Sequence, residues 1–62
     1  MAGEEVIGAE GLLMIRRIYS QLRFEGWPVE GDPRQLAANI IYLYRIGVRD
    51  EKQLLELAPY VT

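Results

Sequence analysis

The chain of 62 residues contains no cysteine and no histidine, and only one lysine, one serine and one tryptophan. Without cysteine there can be no disulfide and no thiolate zinc site, and without histidine the commonest general base and the zinc-finger spacings are missing too. A domain this short is near the lower limit for folding alone, and disulfides and metals are two of its usual supports. We therefore expect it to be stabilised by tight helix packing or by association with another chain.

Few of the remaining side chains are suited to catalysis. Ser20 has no histidine to activate it, and Lys52 lies in the surface turn of a short predicted helix, where a lowered pKa is not expected. Asp32 and Asp50 are placed as helix caps, and the sequence has no phosphate-binding glycine motif and no calcium-loop spacing. We predict no enzymatic activity, no cofactor, no small-molecule substrate and no metal ion.

The chain also lacks a long hydrophobic run. No apolar stretch approaches the roughly 18 residues of a membrane span, and the first five residues are acidic, unlike the basic start of a signal peptide. The net charge of −2 provides no general attraction to nucleic acid or anionic lipid. These features predict a cytoplasmic protein with no membrane partner.

What is present is a helical pattern in three parts, the first over 12–25. Leu12, Met14, Ile15, Ile18, Tyr19 and Leu22 gather on one side of this helix. Leu13 and Phe24 lie off that stripe, either packed beneath a loop or forming a contact patch for another chain. Gly26 and then Pro28 are typical of a helix end.

The second predicted helix covers 33–46 and is hydrophobic nearly all the way round. Asp32 and Pro33 mark its start, Gln35 completes a capping-box spacing, and Gly47 marks its end. Leu36, Ile40 and Leu43 form one ridge, with Ala37, Ile41 and Tyr44 on one flank and Tyr42 and Ile46 on the other. A helix with so wide an apolar surface is expected to be buried on most sides.

The third predicted helix covers 50–58, with Asp50 as its cap and Pro59 after it. Leu54, Leu55, Leu57 and Ala58 are expected to face inward, and 60–62 form a short apolar tail. Because residues 1–11 are rich in glycine and glutamate, we predict a loose leader there. The fold class is therefore all-α, a compact three-helix bundle in a single domain over 12–62.

Three short helices cannot easily cover so much apolar surface, which favours a small protein–protein interaction module, an adaptor or regulatory subunit that is homodimeric or binds a different protein. Trp27 either plugs the end of the core or anchors a partner, and Asn39 either bonds within the monomer or fixes the register of a dimer. A working surface combining Tyr42 and Ile46 with Leu13, Phe24 or Trp27 is expected. The candidate interaction residues are Leu13, Phe24, Trp27, Asn39, Tyr42 and Ile46.

The alternative is a small nucleic-acid-binding regulator. The second and third helices follow the order of a helix-turn-helix, with Gly47 in the turn, but the third helix carries Asp50, Glu51 and Glu56 against Lys52 and would repel phosphates. This alternative therefore depends on a surface on which arginines gather. The candidates are Arg16, Arg23, Arg34, Arg45 and Arg49.

Overall fold

A computed structural model describes residues 8–61, which form three α-helices and a final 3₁₀ turn. The helices are α1 (Ala9–Phe24), α2 (Pro33–Arg45) and α3 (Glu51–Leu57), and the 3₁₀ turn is Ala58–Tyr60. The predicted all-α, three-helix fold is confirmed, and no strand occurs within residues 8–61.

Helix α1 begins three residues earlier than the sequence pattern predicts. Gly8 is its N-cap, Leu12 donates its backbone N–H to the Gly8 carbonyl at 3.0 Å, and Glu10 lies in the first turn, where a negative charge complements the helix dipole. Gly11 is buried, so this turn belongs to the packed domain. The predicted leader is therefore wrong for residues 9–11, and residues 1–7 lie outside the described part of the chain.

Helices α1 and α2 end in the same way, and that ending places the residues that follow. Trp27 donates its N–H to the Leu22 carbonyl, and Val48 donates to the Leu43 carbonyl, each at 2.9 Å. Gly26 and Gly47 take the left-handed position before them, with φ of +100° and +113°. This Schellman geometry directs the residue after each glycine back toward the helix core, so Trp27 and Val48 both pack against buried side chains.

The start of α2 differs in detail from the predicted capping box. Asp32 Oδ1 accepts the Arg34 backbone N–H at 2.9 Å, but Gln35 turns away and donates its side-chain amide to Asn39 Oδ1 at 3.0 Å. The Arg34 guanidinium, hydrogen-bonded to Asp32, lowers the pKa of that carboxyl below its ordinary value, and the Arg34 backbone N–H adds to the effect. At the other end, α2 finishes one residue before the predicted Ile46, which is its C-cap.

Asp50 caps α3 as the sequence predicts, because its Oδ2 accepts the Gln53 backbone N–H at 3.0 Å. The helix ends at Leu57, one residue before the predicted end, and Pro59 lies within the 3₁₀ turn that continues it.

Removing this cap is expected to weaken the domain measurably. Asp50→Ala leaves the backbone N–H of Gln53 without its side-chain acceptor, which should lower the free energy of unfolding by about 1 kcal/mol. Urea denaturation followed by circular dichroism measures the change. Asp50→Asn, which keeps a capping oxygen, is the matched control. It should lower the free energy of unfolding by only a small part of that amount.

The core is formed where the three helices meet. It consists of buried side chains from α1, α2, α3 and the 3₁₀ turn: Ile15, Ile18, Leu22, Leu36, Ile40, Leu43, Leu54 and Ala58. The predicted ridge of α2 is therefore confirmed. Two residues predicted to face inward, Leu12 and Leu57, are 49% and 45% exposed because each lies at the edge of the core-facing side of its helix.

Helix α2 is not buried on most sides, contrary to the prediction. Ile41 and Tyr44 are half-buried, while Tyr42 and Ile46 are 55% and 59% exposed. The neighbours of α2 in the described chain are α1, α3 and the 3₁₀ turn, and all of them pack on the side that carries Leu36, Ile40 and Leu43. The opposite side, which carries Tyr42 and Ile46 together with Arg45, is left exposed.

Candidate interaction surfaces

Eight large hydrophobic side chains are exposed on the described part of the chain. They are Leu12, Leu13, Phe24, Val29, Tyr42, Ile46, Leu57 and Tyr60. Phe24 is the most exposed, at 87%. Single exposed hydrophobic residues are normal on a protein surface, so the informative question is which of them share a depression.

One depression is a groove between α1 and α3, with a volume of about 710 Å³. Leu13 and Phe24 lie on its α1 side, and Glu51 and Leu55 lie on its α3 side. Its remaining lining residues are Arg16, Arg17, Ser20 and Gln21. Both Leu13 and Phe24 are exposed, so the interpretation that they pack beneath a loop is wrong.

One ion pair crosses this groove. The Arg17 guanidinium donates to Glu51 Oε1 at 3.2 Å, and the two side chains remain 60% and 46% exposed. An ion pair this exposed contributes little to stability. It does, however, place one charge of each sign in the groove that also contains Leu13, Phe24 and Leu55.

A second depression, of about 530 Å³, lies along the outer side of α2. Ala38, Ile41, Tyr42, Arg45 and Ile46 line it, and none of these lines the groove between α1 and α3. The single working surface expected from the sequence is therefore divided, with Leu13 and Phe24 in one depression and Tyr42 and Ile46 in the other.

Trp27 lies in neither depression. It is half-buried against the core, and its ring meets that of Tyr60 edge-on with the centroids 5.4 Å apart. Because the Schellman turn directs Trp27 inward and the 3₁₀ turn brings Tyr60 over it, the two rings cover one end of the helix bundle. This position fits the interpretation of Trp27 as a plug of the core.

Asn39 is the one buried polar side chain among the described residues, at 7% exposure. Its amide donates to the carbonyls of Ala58 and Val61 at 3.2 and 3.0 Å, and its Oδ1 accepts from Gln35. These bonds tie the chain end to the middle of α2. Both amide atoms of Asn39 therefore have hydrogen-bond partners within the monomer, which supports the monomer interpretation. No free amide group is left to fix the register of a dimer.

Two of the candidate nucleic-acid arginines are held by neighbouring groups near the connection from α1 to α2. Arg23 donates to the Trp27 carbonyl at 3.0 Å. Arg34 pairs with the Asp32 carboxylate at 2.8 Å, which raises the pKa of Arg34 above its ordinary value. Both guanidinium groups are therefore bound to the connection between α1 and α2.

The other three arginines lie in different places. Arg49 donates to the Tyr44 carbonyl at 2.9 Å, and its guanidinium carbon lies 4.2 Å from the centre of the Tyr44 ring. Arg16 lines the groove between α1 and α3, and Arg45 lines the depression on α2. No described depression brings any two of the five candidates together.

Several residues of the groove between α1 and α3 are absent from the sequence-based candidates. Arg17, Ser20 and Gln21 could have been found, because they share the outer side of α1 with Leu13 and Phe24. Glu51 and Leu55 belong to a helix 34 or more positions along the chain from Arg17, and only the packing of α3 on α1 brings them there.

Within residues 8–61, no group of three or more potential ligand side chains is placed to hold a metal ion, and no helix is long and apolar enough to cross a membrane. Comparisons with protein-family models, with curated proteins and with solved structures found no match to this chain.

Proposed function

We propose that this chain is a non-catalytic protein–protein interaction module that works as a homodimer. The observation that carries the proposal is the groove between α1 and α3, flanked by Phe24 at 87% exposure and Leu13 at 55%. Apolar side chains that line a depression and have polar neighbours are typical of association surfaces.

The core does not account for these exposed residues. The buried cluster is complete without Leu13 and Phe24, and both lie on the side of α1 that faces away from Ile15 and Ile18. Arg16 and Gln21, which lie to either side of them on α1, supply a polar rim. Exposed aromatic and aliphatic residues with arginine at the rim have the composition of binding hot spots and their surroundings.

The composition of the groove supports a binding role over a catalytic one. Ser20 is its single hydroxyl nucleophile, and the chain has no histidine to activate it. The Glu51 carboxylate in the groove is engaged by the Arg17 guanidinium.

The existence of two separate apolar surfaces suits an adaptor or a regulatory subunit. A dimer formed through one of them leaves the other exposed on both copies, because the depression on α2 shares no lining residue with the groove between α1 and α3. Such a dimer displays two identical faces, each with Tyr42 and Ile46 exposed.

Sedimentation equilibrium at total concentrations from about 1 μM to 1 mM is expected to show a reversible monomer–dimer equilibrium, since these concentrations span binding free energies of roughly 4 to 8 kcal/mol. The apolar surface buried should make the dimer persist at moderate salt. A monomer at every concentration would overturn the proposal.

A duplex DNA titration at low and moderate salt is the complementary control. We expect no binding at either salt concentration, because Arg23, Arg34 and Arg49 are each engaged by a neighbouring carbonyl or carboxylate. Tight DNA binding that falls steeply with salt, as phosphate neutralisation requires, would favour the nucleic-acid alternative instead.

A further inference from the structure

The outer side of α1 carries four exposed residues in a regular order: Leu13, Arg17, Ser20 and Phe24. Their spacings of four, three and four residues place them within about 60° of one another around the helix, and here we call them the α1 stripe. The stripe has an apolar residue at each end and two polar residues in the middle. A helix face with this spacing is the kind that packs along a second helix.

We infer that the homodimer forms by antiparallel packing of α1 against α1 of a second copy, about a two-fold axis between Arg17 and Ser20. This inference rests on the proposed function and names the surface and the partner that it uses. Rotation about that axis places Leu13 opposite Phe24 of the second copy, and Arg17 opposite its Ser20. Both ends of the stripe then form an apolar pair, as a self-complementary interface requires.

The charges favour this arrangement over a parallel one. In parallel packing each stripe residue faces its own equivalent, so the two Arg17 side chains would be directly opposed, and like charges opposed across an interface are destabilising. In antiparallel packing Arg17 faces a serine hydroxyl, which can accept a hydrogen bond from the guanidinium.

The ion pair across the groove adds a second complementary contact. Arg17 lies beside Glu51 of α3 in the monomer, at 3.2 Å. A two-fold axis perpendicular to α1 brings the α3 sides of the two copies to the same flank of the interface. Each Arg17 then meets Glu51 of the other copy as well as its own, so the four charges alternate in sign near the axis, and partial burial strengthens their attraction.

The groove also provides room for the most exposed side chain. Phe24 is 87% exposed in the monomer, and the groove of about 710 Å³ runs beside the stripe with Leu55 on its far side. In the antiparallel dimer, Phe24 of one copy enters the groove of the other next to Leu13. Filling a groove with an aromatic anchor is typical of interface hot spots.

The absence of cysteine allows a direct test of the register. Leu13→Cys and Phe24→Cys proteins are prepared separately, mixed and oxidised, and the mixed disulfide dimer is the expected product. Either protein alone should cross-link poorly, because its two cysteines would lie about 16 Å apart along the helices and a disulfide needs Cα atoms within about 7 Å. If each protein cross-links with itself and the mixture forms no mixed disulfide dimer, the packing is parallel and the inference is overturned.

Phe24→Ser is expected to raise the dimer dissociation constant by about tenfold or more, since each dimer loses two anchors. Val29→Ser is the matched control, because Val29 is 78% exposed and lines neither depression. Circular dichroism should show that both variants fold like the wild type.

The possible failures are distinguishable. If the wild type dimerises but Phe24→Ser dimerises equally well, while Tyr42→Ser weakens the dimer, the interface lies on α2 and this inference is overturned while the proposed function stands. If the wild type is a monomer throughout, the proposed function fails together with the inference.

Discussion

Ile40→Ala is expected to lower the free energy of unfolding by about 2–5 kcal/mol, the cost of removing a buried aliphatic side chain and leaving a cavity. Ile40 has 0% exposure, lies in the middle of the α2 ridge, and belongs to the same buried cluster as the core residues of α1 and Leu54 of α3. Side chains from several elements surround this site, so it cannot collapse without moving a helix.

The consequence is large because the domain is small. A single core in a chain of this size rarely supplies more than about 3–5 kcal/mol. Ile40→Ala should therefore leave a substantial part of the population unfolded at 25 °C. Urea denaturation followed by circular dichroism measures this, with each variant compared at one fixed protein concentration because the proposed dimerisation would stabilise the folded state.

Ile40→Val is the graded control and should cost only about 0.5–1.5 kcal/mol. Val29→Ala, at a position 78% exposed, should change the stability very little. An Ile40→Ala protein as stable as the Val29→Ala protein would contradict the location of the core.

Asn39→Leu is expected to be the second most destabilising change, with a loss of about 2–3 kcal/mol. Leucine has a similar volume but no amide, so the carbonyls of Ala58 and Val61 lose the donor that lies 3.2 and 3.0 Å away. The Val61 carbonyl loses this donor, and the Ala58 carbonyl keeps only the long hydrogen bond from the Val61 N–H at 3.4 Å. A buried acceptor left without a donor costs more than the hydrogen bond that it made. The structural effect should be release of the 3₁₀ turn from α2.

Fluorescence provides a local measurement of that release. Trp27 is the only tryptophan, and its ring contacts Tyr60 of the 3₁₀ turn. Detachment of the turn should expose the indole and shift its emission to longer wavelength, in addition to lowering the urea midpoint. Gln35→Ala, which removes only the bond to Asn39 Oδ1, is the control and should cost less than about 1 kcal/mol. Unchanged emission and stability in Asn39→Leu would show that the chain end does not depend on this amide.

Features that depend on a few neighbouring residues could be predicted from the sequence. The caps Asp32 and Asp50 accept backbone N–H groups where expected, and Gly26 and Gly47 end their helices. The ridge formed by Leu36, Ile40 and Leu43 also follows from helical spacing alone. Each of these is set by contacts within about one or two turns, which a sequence pattern records directly.

Predictions that depended on what packs against a helix were less successful. The apolar flank of Tyr42 and Ile46 looked like buried surface, yet it is exposed because the neighbours of α2 all lie on its other side. Gln35 also departs from its predicted capping role, since its side chain donates to Asn39 one turn along α2. For Tyr42 and Ile46, it is the position of distant elements that decides their exposure.

The sequence by itself determined that this is an all-α chain of three helices, two of them capped by aspartate, without cysteine or histidine, because composition and helical spacing are local properties. Only the tertiary structure decided which apolar residues remain exposed and which of them share a surface. It separated Leu13 and Phe24 from Tyr42 and Ile46, and it brought Glu51 to Arg17. The reason is that a groove is made by two elements, and the packing of α3 on α1 is a long-range outcome that neither helix encodes alone.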